Sequence, residues 1–301
     1  MLYVVIKELL KKTVSTGPFS YFASTGLGRL FILCFSPGIQ NVLMSGIRPQ
    51  IIKLRIAGIK FQLYTSTEDD HFESAFLKHL NGWEDEVLAA WANLIKKDEI
   101  AIDVGAYLGI YSILGASMGA NLVLAYEPNP FTASRLQQNI DLNHFSDGVL
   151  LRNVALANSS TESFLIAPKG RKLSSGAMLS SLKIQSNENN LKNWEQIAKV
   201  KQVKLDDDIR QLVGRLKISV IKIDAEGSEM DVLKGAQKTL VKYRPNLIIE
   251  LLDYESLSKA TAYLMNMNYA SPKALDGASH TKISISNSKR IIARNYLFQP
   301  R

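Results

Sequence analysis

The sequence predicts an α/β fold, a mostly parallel sheet flanked by helices, preceded by a helical and hairpin extension. From residue 99 onward, short apolar runs alternate with helical patterns through tight connections, which is the signature of βαβ units. Before residue 82 the pattern is different: a Gly-punctuated helical preamble over residues 1–49, then two alternating apolar runs around Gly58. With 301 residues, 46% hydrophobic and 21% charged, the chain is long and apolar enough to bury one large core or two small ones. The expected division is residues 1–81 as the extension and 82–301 as the α/β domain.

The elements follow in order. "IIKLRIAGIKFQLYT" reads as a hairpin, and "DEVLAAWANLIKK" carries a helical stripe at Val87, Leu88, Trp91, Leu94 and Ile95. "EIAIDVG" is a first buried strand, followed by a helix over "GIYSILGASMG" that ends at Gly119. "NLVLAYEP" and "VLLRNVAL" are the second and third strands, separated by the helix "PFTASRLQQNIDLN". An irregular insert from about 157 to 210 adds strands and a flexible polar loop around "QSNENNLKNWEQ". "ISVIKID" is the fourth strand. The next helix is expected to be capped by Ser228 with Asp231 three residues on, and to present Met230, Leu233, Leu240 and Val241 to the core. "PNLIIELL" is the fifth strand, followed by a helix near 255–266 and late strands near 282–286 and 290–298.

The stretch "AIDVGAYLG" is the most informative for chemistry. It sets Asp103 at a strand end, Gly105 in the turn and Gly109 at a helix start. Ligands of open α/β sheets bind outside the carboxyl ends of the strands. A dinucleotide fingerprint needs a second glycine where the pyrophosphate passes, and Tyr107 stands there instead. An acid before the turn suits a cationic amino group. Glu127, at the end of the next strand, suits a ribose diol. A ligand with an ammonium group, a free ribose and no pyrophosphate points to S-adenosylmethionine.

"AIDVGAYLGIYSI", "LAYEPNP", "NVAL", "LDDDI", "IKIDAEGSEMDVLKGA" and "RPNLIIEL" resemble, in order and spacing, the FkbM-type S-adenosylmethionine-dependent methyltransferases over about residues 82–300. That family commonly has Asn where this chain has Tyr107, and Val where it has Ala225. The resemblance implies a class I methyltransferase (Rossmann-like) fold with a mostly parallel seven-stranded sheet, and O-methylation of a hydroxyl on a glycan, polyketide or other small molecule. By motif match, Asp103, Gly105, Ala106, Tyr107 and Gly109 surround the methionine moiety. Glu127 takes the ribose, and Asn153 to Ala155 lie near the adenine.

Methyl transfer to an alcohol requires in-line positioning and removal of a proton. Asp224, ending the fourth strand, is the first candidate for base, acceptor anchor or metal ligand, and Glu226 is the second. Asp206 could approach from the insert. Glu229 is read as structural, because acids at a helix start offset its dipole. The clustered carboxylates leave a divalent metal open, but no His accompanies them at ligand spacing. Lys222, His280 and Trp83 are weaker candidates. His71, His79 and His144 read as surface or structural.

Composition narrows the alternatives. The single cysteine, Cys34, excludes a disulfide within the chain, fits a reducing, cytoplasmic setting, and reads as a small buried hydrophobe. No apolar run approaches the roughly 20 residues of a membrane span. Residues 1–60 hold eight Lys/Arg against Glu8 alone, and residues 282–301 hold five and no acid, so of a net +8 the centre is slightly negative. Basic ends and an amphipathic start, "MLYVVIKELLKKT", allow peripheral contact with an anionic membrane surface. A nucleic-acid partner is not expected, since no N-P-P-Y-like motif is present and the insert is poor in aromatics. A nicotinamide-dependent oxidoreductase and a non-catalytic binding protein on the same fold are the competing readings.

Overall fold

The computed structural model describes residues 49–70, 84–180, 192–210, 212–214, 216–275 and 293–301, together with Ala23, Ile32, Cys34 and Leu80. The amphipathic start, Trp83, His71, His79, His280, the late strand near 282–286 and most of the polar insert loop lie outside the described residues. The chain divides into two compact units, residues 1–55 with 60–83, and residues 56–59 with 84–301.

β1 (Gln50–Ile56) and β2 (Ile59–Thr65) pair as a two-stranded sheet. The turn Ala57-Gly58 has φ of 49° and 82°, the two left-handed positions that a tight hairpin requires. Period-2 alternation buries Ile52, Leu54, Phe61 and Leu63 on one face and leaves Ile51 exposed. Asp69 closes the following turn, accepting from Thr65 Oγ1 at 3.0 Å and Ser66 N at 2.6 Å. Cys34 overturns its expected burial. It occupies a turn and is exposed, because an apolar run broken by a turn cannot bury every member.

The second unit is built on a seven-stranded sheet. Its parallel strands are β3 (Ile100–Val104), β4 (Leu122–Tyr126), β5 (Val149–Arg152), β10 (Ile218–Ile223) and β11 (Asn246–Glu250). β12 (Lys273–Ala274) and β13 (Asn295–Phe298) complete it, in the order β12-β13-β11-β10-β3-β4-β5. β13 runs antiparallel to both neighbours. Every residue of β3 and β10 is buried, as expected of central parallel strands covered on both faces. Strand order reverses between β3 and β10, so their C-terminal ends open the crevice where ligands of such sheets bind.

Helices α1 (Asp85–Leu94), α2 (Ile110–Ser117) and α3 (Pro130–Leu142) precede or connect the first strands. Trp91 of α1 is buried edge-on to Tyr111 of α2, and its indole N–H donates to the Tyr111 carbonyl at 3.0 Å. Asn129 caps α3 by accepting from Phe131 N, with Pro130 at the first helical position. Helix α7 (Tyr254–Asn266) begins on Asp253, which accepts from Ser256 N at 2.7 Å.

Several local expectations are corrected. The third strand does not run through "VLLRNVAL". β5 ends at Arg152, and β6 (Ala155–Leu156) joins a second sheet with β7 (Glu162–Pro168), β8 (Met178–Leu179) and β9 (Trp194–Val203), in the order β6-β9-β7-β8. Asn153 marks the break, its amide donating to the Glu127 carbonyl at 2.7 Å. The helix expected after Ser228 is two short ones, α5 (Glu229–Gly235) and α6 (Gln237–Tyr243), and Val241 is 61% exposed. Helix α4 (Leu205–Asp208) lies against the start of the second of them. Asp206 accepts from Lys238 N, Thr239 N and Thr239 Oγ1, capping α6 from outside. Asp206 is therefore committed to the fold. Ser228 makes no side-chain cap. Glu229 supplies the bonds instead, its Oε1 accepting from Gly227 N at 2.9 Å and Ala225 N at 3.2 Å.

Candidate active site at the strand ends

The turn after β3 is held from two sides. Gly105 N and Ala106 N both donate to the Tyr126 carbonyl, and Tyr107 N donates to Glu127 Oε2 at 2.8 Å. Glu127 Oε1 accepts from Asn129 N at 2.8 Å. Glu127 thus ties the turn to the end of β4, and beyond the two amides and the Thr132 side chain it keeps one acceptor site for a further donor. Burial raises its carboxyl to about 7, although Asn129, Thr132 and Tyr107 each pull it down. Gly105 sits at φ 78°, and a side chain there would place its Cβ 1.8 Å from the Asp224 carbonyl oxygen. Gly109, at φ 89°, would drive a Cβ to 2.2 Å from Leu136 Cδ1, so this glycine serves helix packing. Ala106 and Ala155 are buried small residues beside the turn and in β6.

Asp103 is buried on β3, with Oδ2 accepting from Ser112 Oγ at 2.6 Å. Its Oδ1 has no hydrogen-bond partner among the described residues. Burial raises its carboxyl, with Lys222 and Ser112 opposing. Lys222 is its register neighbour on β10 and is only 3% exposed. The Lys222 ammonium lies 2.9 Å from Asp224 Oδ2 and 4.5 Å from the centroid of the Tyr111 ring. Burial alone would lower the lysine, but Asp224, Glu84 and Asp103 outweigh it and keep it charged. The Tyr111 hydroxyl donates to Glu84 Oε2, and burial followed by the Glu84 charge keeps the phenol protonated.

Asp224 continues β10, its N donating to the Val104 carbonyl at 3.0 Å. Glu226 and Gly227 are both left-handed, at φ 48° and 96°, and fold the chain back into α5. Burial, then the charges of Asp224 and Glu229, raise the Glu226 carboxyl to about 7. The strand ends thus bring Asp103, the Gly105 turn, Asp224 and Glu226 together. Glu250, at the end of β11, joins them. The sequence reading passed it over because an acid ending an apolar strand carries no motif of its own. Among the described residues no group of three or more His, Cys, Asp or Glu is arranged to hold a metal. No described helix is long and apolar enough to cross a membrane.

The β7–β8 connection reaches the turn from the insert. The Tyr107 hydroxyl donates to the Leu173 carbonyl at 2.8 Å, and the Asn129 amide donates to the Lys172 carbonyl at 2.7 Å. Tyr107→Phe removes one of these two tethers. Trypsin is expected to cut the exposed sites Lys169, Arg171 and Lys172 several-fold faster in this variant. Unchanged cleavage would mean that the hydroxyl does not restrain the connection.

A switch-point crevice with a glycine turn and acids on adjacent strand ends, on this strand order, defines a class I methyltransferase fold. The profile of the Methyltransferase FkbM domain matches residues 103–270. The chain belongs to that family. It is 26% identical over 172 residues to "Methyltransferase 1" of Beauveria bassiana, covering 52% of this chain and 66% of that protein. It is 29% identical over 166 residues to the hexuronic acid methyltransferase AglP of Haloferax volcanii, covering 54% and 60%. The matches thus span somewhat under two thirds of these relatives' own lengths. The crystal structure of a methyltransferase FkbM from Methylobacillus flagellatus aligns with a TM-score of 0.44 at 15% identity, covering 77% of this chain and 55% of that one.

Proposed function

We propose that the protein is an S-adenosylmethionine-dependent O-methyltransferase acting on a hydroxyl of a glycan or other small hydroxylated molecule. The observation that carries this reading is the seating of Gly105 directly against Asp224, which joins the turn after β3 to the acids at the end of β10 within a family-matched domain. A relative named for hexuronic acid methylation supports a sugar-like acceptor.

The residues present fit the cofactor. Asp103 offers a buried acceptor oxygen without a partner among the described residues, suited to an ammonium group. Gly105, Ala106 and Tyr107 form the turn that would hold the methionine moiety, and Gly109 packs the following helix against Leu136. Glu127 retains acceptor capacity that the ribose hydroxyls would use, and Asn153 and Ala155 would lie on the adenine side. When bound, the cofactor supplies an electrophilic methyl whose bonding pair leaves on sulfur. Asp224, paired with Lys222, anchors the acceptor hydroxyl. As the acceptor oxygen takes that methyl, the hydroxyl proton would pass to the Glu226 carboxylate, the acid poised near neutrality. The basic N-terminal segment is proposed to add peripheral contact with an anionic membrane surface.

Two measurements test this. Calorimetry should show S-adenosylmethionine binding that is lost in Asp103→Ala. Incubation with methyl-labelled cofactor and host extract fractions should yield a labelled hydroxylated product by mass spectrometry. Binding of a nicotinamide dinucleotide in place of S-adenosylmethionine would overturn the reading.

A further inference from the structure

The end of β11 holds an acid that the reading above does not use. The parallel register pairs Ile223 with Ile249, so the next residues, Asp224 and Glu250, stand side by side where both strands end. The two carboxyl groups therefore come within hydrogen-bonding reach of each other. Two carboxylates cannot share a hydrogen bond unless one of them carries a proton. Lys222 already donates to Asp224 Oδ2, which favours the charge on Asp224 and leaves the proton on Glu250. Among the described residues, the charged groups acting on Glu250 are Asp224 and Lys222 from β10, Glu226 from the turn beyond it, and Arg294 before β13, whose Nε lies 3.8 Å from Glu250 Oε1. The guanidinium is 68% exposed, so water screens it, while burial and the two neighbouring acids act the other way. Together they raise the Glu250 carboxyl to about 9.

We infer that Glu250 is a positioning residue of this site: as a neutral carboxylic acid it donates a hydrogen bond to Asp224 and, with Lys222 on the other side, holds that carboxylate ionised and oriented toward the acceptor hydroxyl. The inference rests on the methyltransferase reading for its function, but the hydrogen bond itself does not. Glu250 takes no proton from the acceptor. It fixes the group that does the anchoring, as a supporting shell must for in-line transfer.

The test uses the full-length protein with glutamate ¹³C-labelled at the side-chain carboxyl, and the variants Glu250→Gln, Glu250→Leu and Asp224→Asn. One glutamate carboxyl should titrate well above pH 7, vanish in Glu250→Gln, and titrate at least one pH unit lower in Asp224→Asn. With the labelled extract fraction as acceptor, Glu250→Gln, which keeps a donor to Asp224, should retain kcat to within about fivefold. Glu250→Leu should lose roughly 30-fold in kcat while its calorimetric affinity for S-adenosylmethionine changes less than threefold. A Glu250 carboxyl titrating below pH 6, or a Gln variant as slow as the Leu variant, would overturn the inference. If the wild-type protein binds no S-adenosylmethionine, the methyltransferase reading fails, and the titration still decides whether the Asp224–Glu250 bond exists.

Discussion

Asp224→Ala is expected to lower methyl transfer by roughly 10²-fold while S-adenosylmethionine still binds, the scale on which a misplaced acceptor slows an in-line reaction. The reason lies in where the side chain sits. Asp224 follows the central strand β10, is paired with the buried Lys222, and stands beside the Gly105 turn without forming it. Its loss removes the acceptor anchor but leaves Asp103 and the turn in place. It also leaves Lys222 buried with fewer charges to satisfy it, so the variant should melt at a lower temperature. Asp103→Ala should behave oppositely, losing cofactor binding outright. Calorimetry and single-turnover methyl transfer on the two variants separate the roles, and normal turnover in Asp224→Ala would remove Asp224 from the mechanism. The pH profile checks the partner role of Glu226. Burial and two neighbouring acids raise its carboxyl to about 7, so the proton-accepting form grows as pH rises through that value. Turnover should climb between about pH 6 and 8 and flatten in Glu226→Gln.

The stability side of the same cluster has its own sign. Glu250 is raised from 4.5 in the unfolded reference to about 9, so between those values the native state binds more protons than the unfolded one. Its contribution to stability is present in full below about pH 4.5 and is lost as pH rises toward 9. Glu250→Gln cannot lose that proton. Its melting temperature relative to wild type should therefore rise steadily from pH 5 to pH 9, and a flat difference would contradict the shift.

The five parallel strands were legible because each is a short apolar run between turn residues, and "AIDVGAYLG" fixed the strand end that matters. Asp103, Gly105, Asp224 and Glu226 could be grouped from sequence because each ends or follows such a run. What sequence could not show was which acids the fold itself consumes. Asp206 reads as a free carboxylate in "LDDD", yet it caps a helix more than thirty residues away. Ser228 has the residue type and position of a cap, yet the neighbouring Glu229 takes the turn amides. Glu250 stayed hidden because its partner lies on another strand. Only the β10–β11 register, set by hydrogen bonds that no local pattern encodes, puts it beside Asp224. Motif match makes Gly109 a ligand glycine, but its closest constraint is Leu136 of α3, a packing contact distant in sequence.

Gly105→Ala should have the second large effect, and its cause is purely steric. The residue sits at φ 78°, a backbone conformation that costs a non-glycine residue roughly 1–2 kcal/mol. The added Cβ would fall 1.8 Å from the Asp224 carbonyl oxygen, a backbone atom that cannot rotate away. Relief requires β3 and β10 to part at their C-terminal ends, and such overpacking costs a further ~1–3 kcal/mol. The combined loss, roughly 2–5 kcal/mol on these two scales, is a large share of a domain's typical stability. The damage is also local to the crevice, because parting those strand ends shifts Asp103 and Asp224 relative to one another. Urea unfolding should show a lower midpoint with an unchanged slope, and the fraction still folded should bind S-adenosylmethionine at least tenfold more weakly. Gly115→Ala is the matched control. That glycine lies in helix α2, where a Cβ would come no nearer than 3.2 Å, to the side chain of Val123. A small change in melting there, beside a large one at Gly105, would show that the left-handed turn and its contact with Asp224, rather than the loss of a glycine as such, set the requirement.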